Sequence, residues 1–372
     1  MKDEIFNIPA NKPRVLVAPL DWGLGHATRC IPVISSLIQR GCVVFVAAEA
    51  AGKTLLQKEF PDLHFMELKG YRMQYSRSKF WLPFKLAVQF PKLLWRIYAE
   101  NKWLKKVVDK YEIDAVISDN RLGLSHSKIP CVYITHQLKI ITGSLFTERL
   151  AQKIHYHFIN KFKTCWVPDA AGTKNLAGSL SHPTVLPKVP VVYIGPLSRF
   201  DKKETTQKYE CCIILSGPEP QRTVFENLIL KDFQKISGNL ILVRGLPDKT
   251  LTNELNIPGI EIKNHLPAAK LSMVLQQSKW IIARSGYTTI MDLIKLQKKA
   301  LLVPTPGQTE QEYLASGLMD RQLFCSVPQK DFCMADAMRK LDSFPFIDAH
   351  CFQNDYEKVI EGLIKSHIRK SQ

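Results

Sequence analysis

The chain of 372 residues contains no run of 18 apolar residues, which excludes a membrane-spanning helix of ordinary length. Its nine cysteines are odd in number and include no Cys-x-x-Cys pair. Cys42, Cys131, Cys165, Cys211 and Cys212 lie within apolar runs, where the thiol behaves as a small hydrophobe. A disulfide-stapled fold is thereby excluded and a reducing compartment expected. The first 14 residues carry Asp3, Glu4 and Pro9 and lack the apolar centre of a signal peptide, so a cytoplasmic chain is expected. No repeat of solenoid period is visible. Acidic residues are scarce, 34 against 51 Lys and Arg, for a net charge of +17. Hydrophobic residues make up 45%, enough for a full core, so disorder is excluded and about 150 residues per domain predicts two or three domains.

Short apolar runs alternate with helical spacing. Runs at 15–18, 42–47, 63–68, 114–118, 131–135, 165–168 and 189–194 read as strands, with helices predicted over 27–39 and near 144–160. The charged stretch 201–210 interrupts the pattern, which restarts at 211–215 and continues through 240–243, 260–263, 280–282 and 300–303. Continuous rather than alternating apolar strands indicate parallel sheets covered on both faces. The expectation is an α/β chain of two Rossmann-like, doubly wound domains, 1–200 and 211–352, joined by a linker at 201–210 and followed by a C-terminal helix and tail at 353–372. Ligands of such sheets bind beyond the carboxyl ends of the strands.

The residues at those ends carry the candidate chemistry. After the first strand comes Asp21-Trp22-Gly23-Leu24-Gly25-His26-Ala27-Thr28-Arg29. Gly23 and Gly25 allow a tight turn into a helix whose start holds His26, although Thr28 replaces the third glycine of a dinucleotide fingerprint. The run AAEAAGKT at 47–54 mimics a phosphate loop, but its Ala-rich turn with Glu49 suits an ordinary helix start better. The fourth strand ends at Asp119 and the fifth at His136. Asp119 either orients His26 or caps a turn, and His136 is either functional or a satisfied core histidine. In the second half, Ser216-Gly217 precedes a helix containing Arg222, and Ser285-Gly286 precedes one containing Thr288 and Asp292. Such helix starts offer free N–H groups to a phosphate, and a carboxylate suits the hydroxyls of a ribose. The polar loop with Gln308, Gln311 and Glu312 follows the next strand.

Residues 69–110 hold eleven basic residues against two acids, interleaved with the aromatics Tyr71, Tyr75, Phe80, Trp81, Phe84, Phe90, Trp95, Tyr98 and Trp103. A stripe at Leu86, Phe90, Leu93, Ile97, Leu104 and Val108 has helical spacing, with Lys85, Lys92, Arg96 and Lys102 off it and Pro83 and Pro91 expected to break or kink the helix. Segment 71–110 either rests on an anionic membrane surface or packs its stripe inward with its charges solvated. No nucleic-acid-binding motif is present.

The run RSGYTTIMDLIKLQKKALLVPTPGQTEQEYLA resembles the donor-binding half of the GT-B glycosyltransferases, the peptidoglycan N-acetylglucosaminyltransferases and galactolipid synthases among them. GLGHATR resembles their glycine-rich loop and that of a UDP-sugar hydrolase of nonulosonate synthesis. The resemblance implies a GT-B fold with two domains facing a cleft. It implies that Ser285, Gly286 and Thr288 hold the donor diphosphate, Asp292 the ribose where relatives have glutamate, and Gln311 the sugar, with Gln308 and Glu312 beside it. It further implies Ser216 and Gly217 at the second domain's first turn, Arg199 on the diphosphate, His265 and Leu266 near the base, and His26 as catalytic base; with no metal expected, Arg222 joins Arg199 and the helix starts as the positive charge for the leaving diphosphate. The expected reaction is inverting transfer of a hexosyl or N-acetylhexosaminyl group from a UDP-sugar or similar donor to a lipid or glycan. The sequence has no Asp-x-Asp motif, so no metal and no cofactor is expected. The expected location is cytoplasmic and peripheral at the inner membrane face. A nucleotide-sugar hydrolase and a non-catalytic nucleotide-sugar-binding protein remain the alternatives.

Overall fold

The computed structural model describes residues 11–71, 82–142, 144–246, 257–348 and 355–365, without the side chains of 82–88 and 145. Asp3, Glu4, Pro9, Tyr75, Phe80 and Trp81 lie outside the described residues, as do the side chains of Phe84, Lys85 and Leu86. The chain divides into two compact units, Met1–Leu197 with Gln353–Gln372, and Ser198–Phe352.

The first unit runs β1 (Arg14–Pro19), α1 (Leu24–Gln39), β2 (Val43–Ala48), α2 (Ala50–Glu59), β3 (His64–Glu67), α3 (Leu82–Tyr111), β4 (Ala115–Asp119), β5 (Cys131–Ile134), α4 (Leu145–Ile159), β6 (Thr164–Val167) and β7 (Val191–Tyr193). Its seven strands are parallel in the order β3-β2-β1-β4-β5-β6-β7. Strand order reverses between β1 and β4, where Pro19 pairs with Asp119, so the loops after these two strands open on one crevice. Val15, Leu16, Val17 and Ala18 are fully buried because helices cover both faces of the sheet. Gly23 begins α1 with φ of 80°, a left-handed conformation in which a side chain would be strained. The look-alike phosphate loop is an ordinary helix start: Glu49 precedes α2 and its carboxylate accepts the Gly70 N–H at 2.7 Å.

α3 carries through Pro91 without the expected break, and Pro83 falls in its first turn, where no backbone donor is needed. Its stripe turns inward: Leu104 and Val108 join the core with Leu16, Phe45, Val116 and Tyr133, and Ile97 packs on Leu20, Tyr71 and Phe158. Trp95 and Tyr98 face out, 60% and 69% exposed, as does Phe146 of α4. Among the described residues no helix is long and apolar enough to cross a membrane.

The second unit runs β8 (Tyr209–Ile214), α5 (Gln221–Asp232), β9 (Leu240–Val243), β10 (Ile260–Lys263), α6 (Ala268–Gln276), β11 (Ser278–Ala283), α7 (Tyr287–Lys295), β12 (Ala300–Leu302), α8 (Thr309–Asp320), β13 (Cys325–Ser326) and α9 (Met334–Ser343). Its six strands are again parallel, ordered β10-β9-β8-β11-β12-β13, with the reversal between β8 and β11. Residues 201–203 lie on this unit, with the Gln276 amide donating to the Asp201 carbonyl at 3.3 Å and accepting the Lys203 N–H. α10 (Tyr356–Leu363) belongs with the first unit: Glu357 pairs with Arg40 of α1 at 3.6 Å, and the Asp355 N–H donates to the Ile194 carbonyl.

Candidate active site

α1 starts at Leu24, so His26 sits in its first turn, directly above the β1–β4 crevice. Its Nδ1 lies 2.9 Å from Oδ2 of the fully buried Asp119 at the end of β4. Nε2 has no hydrogen-bond partner among the described residues, and the side chain keeps 15% exposure. Burial, reinforced by the Arg29 charge and opposed by Asp119, holds the imidazole below its ordinary pKa. The ring is therefore neutral near pH 7. Burial disfavours the Asp119 carboxylate, but Arg29 and His26 outweigh it and hold the carboxyl below its usual range. A neutral histidine with one nitrogen on a carboxylate and the other open is built to accept a proton. His136, after β5, is buried too, and its Nδ1 lies 3.1 Å from Arg29 Nη1.

Arg29 is the residue that the sequence reading passed over. It is 2% exposed, and its Nε donates to both Asp119 oxygens at 2.9 Å. Its spacing, three positions after His26, puts it on the same helix face, but nothing local in the sequence marks it as buried. A second unforeseen group stabilises the turn that carries Asp119. Arg121, fully buried, donates to Glu100 of α3 at 2.8 Å and to the Pro19 and Lys69 carbonyls. Glu100 also accepts from the Tyr71 hydroxyl at 2.7 Å and from the Gly123 N–H. The Arg121 carbonyl in turn accepts the Ser118 hydroxyl at 2.6 Å.

In the second unit, the turns after β8 and β11 flank the sheet's own switch point. Ser216 and Gly217 are exposed, and Gly217 has φ of 96°. Gly286 begins α7, while Ser285 is fully buried with its hydroxyl donating to the Gln311 carbonyl at 2.9 Å. Thr288 lies half-buried in the first turn of α7. Asp292 is buried and accepts the Ser198 hydroxyl at 2.6 Å; burial raises its carboxyl to about 6 despite the Arg199 charge. The polar loop is internally braced: Gln311 accepts the Thr305 N–H at 2.9 Å and donates to Gln308, and Glu312 accepts the Gly307 N–H at 3.0 Å. His265 and Leu266 are half-buried after β10.

Arg222 stands differently from its expected role on a diphosphate. Its guanidinium is engaged by Glu219 at 2.6 Å and Glu226 at 2.7 Å, and Glu226 also pairs with Arg244 at 2.5 Å. The carboxylates three residues before it and four after it already match its charge. Arg284, which immediately precedes Ser285, is buried against the Phe225 ring and donates to the carbonyls of Gln221, Val303 and Pro304 and to Gln329. Among the described residues no carboxylate meets it, and burial lowers its pKa to about 10. It ties the end of β11 to the loops around it and so fixes the start of α7.

Residues 244–343 match the glycosyltransferase family 28 C-terminal domain. Among solved structures, the kitacinnamycin glycotransferase superposes with a TM-score of 0.62 at 15% identity, over 95% of this chain and 94% of that one. The fold is GT-B. The MurG protein of Acinetobacter baumannii shares it at a TM-score of 0.54 and 14% identity, over 95% of this chain and 99% of that one. The spinosyn rhamnosyltransferase SpnG, solved with thymidine diphosphate, gives 0.57 at 13% identity, with 96% of each chain covered. No curated protein matches the chain. GT-B chains pair two parallel doubly wound sheets, and this chain's seven-stranded and six-stranded sheets supply both.

Proposed function

We propose that the chain is a glycosyltransferase that moves a hexosyl or N-acetylhexosaminyl group from a nucleotide-diphosphate sugar, UDP-linked, to a lipid or lipid-linked glycan. The reaction inverts the anomeric carbon and uses no metal. The observation that carries this reading is the neutral His26, its Nδ1 against Asp119 and its Nε2 open, at the switch point of a GT-B sheet. Nε2 takes the proton of the acceptor hydroxyl as that oxygen bonds to the anomeric carbon. The bond from that carbon to the donor's phosphate oxygen breaks, and its electron pair leaves on the nucleoside diphosphate. In this reading the N–H groups at the start of α7 and the Arg199 charge receive the diphosphate, Asp292 with Ser198 the ribose, and Gln311 the sugar. SpnG, with thymidine diphosphate bound to the same fold, supports a diphosphate donor.

The acceptor reading rests on α3 and α4. Trp95, Tyr98 and Phe146 project from a unit whose exposed Lys92 and Lys102 add positive charge, the composition that favours an anionic lipid surface. In this reading the chain works at the inner face of the cell membrane, peripheral and cytoplasmic. The test is nucleoside diphosphate release from the donor, with and without anionic vesicles that carry a lipid acceptor. Release that depends on the vesicles, and that falls when Lys92→Glu, Lys102→Glu and Trp95→Ser are combined, is the expected result. Equal release to water without acceptor identifies a hydrolase instead. Acceptor-dependent release that ignores the vesicle charge and the triple variant removes the membrane surface.

A further inference from the structure

The His26 cluster holds one permanent cation, one carboxylate and two imidazoles. Arg29 Nε donates to both oxygens of Asp119, and Nη2 donates to Oδ1 as well. Nη2 also stands 2.8 Å from His26 Nδ1, and Nη1 stands 3.1 Å from His136 Nδ1. A guanidinium only donates, so the His136 Nδ1 facing it must accept, which puts that ring's proton on Nε2. At His26 the same nitrogen faces an acceptor, Asp119 Oδ2 at 2.9 Å, and a donor, Arg29 Nη2 at 2.8 Å. A ring proton on Nδ1 is donated to Asp119 and leaves Nε2 bare, whereas a bare Nδ1 takes the Arg29 N–H and puts the proton on Nε2. With both rings neutral the buried cluster carries no net charge, because Arg29 already balances Asp119. Protonating His26 adds an uncompensated charge to a site from which Asp119 and Arg29 are almost wholly excluded from water.

We propose that Arg29 is a positioning residue of the His26 site: it, rather than the histidine, is the counter-ion of Asp119, so the imidazole rests neutral with Nε2 free to accept. The catalytic use of that ring rests on the transferase reading; the charge arrangement does not. Without Arg29 the Asp119 charge would work against burial with nothing permanent beside it, drawing the ring toward the imidazolium form that already holds the proton it is meant to take. The groups that face His26 are Asp119 from β4, Arg29 from its own helix and His136 from the loop after β5, with the Cys30 thiol 3.9 Å from the carboxylate. Of these only Arg29 opposes the Asp119 charge with a charge that never titrates.

The experiment is NMR titration of the ring nitrogens in histidine-labelled protein, without substrate. In the wild type His26 titrates below the ordinary imidazole value and carries its proton on Nδ1. In Arg29→Met its pKa rises, and in Arg29→Lys, which keeps the charge, it returns toward the wild-type value. A wild-type His26 that titrates above an ordinary imidazole overturns the proposal, and this holds even if Arg29→Met fails to fold. Unchanged titration in a folded Arg29→Met overturns it as well. With a donor in hand, the acid limb of kcat moves to higher pH in Arg29→Met while the donor KM stays, which a merely structural arginine would not produce. Should the protein prove not to transfer sugar, the titration still decides the role of Arg29.

Discussion

Replacing His26 with alanine is expected to lower kcat by about 10²–10⁴-fold, the usual share of a positioned general base, with donor affinity nearly unchanged. The split follows from where the ring acts. In the proposed mechanism His26 meets the acceptor proton through Nε2, whereas the groups assigned to the nucleotide are Ser285, Gly286, Thr288 and Asp292 at the end of β11 and in α7. Steady-state nucleoside diphosphate release and donor titration measure the two effects separately. Full turnover in His26→Ala removes the base assignment. A fall in donor affinity with kcat preserved makes His26 a binding residue.

Glu100→Ala is expected to cost about 3–5 kcal/mol, because it leaves the fully buried Arg121 without its carboxylate. For units of this size that corresponds to a fall of roughly 10 °C in melting temperature. Burial raises the Glu100 carboxyl above its ordinary pKa even against Arg121 and its hydrogen-bond donors. The pair is therefore no great net source of stability, yet losing one member strands the other, and the two effects are compatible. Glu100→Gln keeps acceptors for Arg121 and Tyr71 and should lose much less. Thermal denaturation of the two variants decides it: equal melting temperatures for wild type and Glu100→Ala would show that Arg121 finds other support from the Pro19 and Lys69 carbonyls.

Much of the fold was legible because parallel strands covered on both faces must be apolar without interruption, and every such run predicted here is a strand. β13 was not, since a strand of two residues, Cys325 and Ser326, is too short to show a pattern. Of the break or kink expected at Pro91, the break does not occur: a proline removes one hydrogen bond, which packing of Ile97, Leu104 and Val108 can offset along a 30-residue helix. The pairing of His26 with Asp119 could be anticipated, as both follow neighbouring strands at the reversal of the sheet. Arg29 could not be read with the same ease: an arginine among Ala27, Cys30 and Ile31 looks like a chain that reaches past apolar neighbours to solvent. Only the buried carboxylate opposite it shows otherwise. The engagement of Arg222 by Glu219 and Glu226 was readable from spacing, and the Ser198 hydroxyl on Asp292 was not, because 94 residues separate them.

Donor recognition is the claim on which the rest depends, and thermal denaturation in EDTA with UDP-, GDP-, dTDP- and CMP-sugars tests it most directly. A ligand present at a hundred times its dissociation constant adds about 2.7 kcal/mol, which moves the melting temperature by several degrees. The account predicts such a shift from one nucleotide class, the UDP-sugars, with no metal required. Unchanged melting with every donor would contradict it and leave this GT-B chain without a nucleotide-sugar substrate.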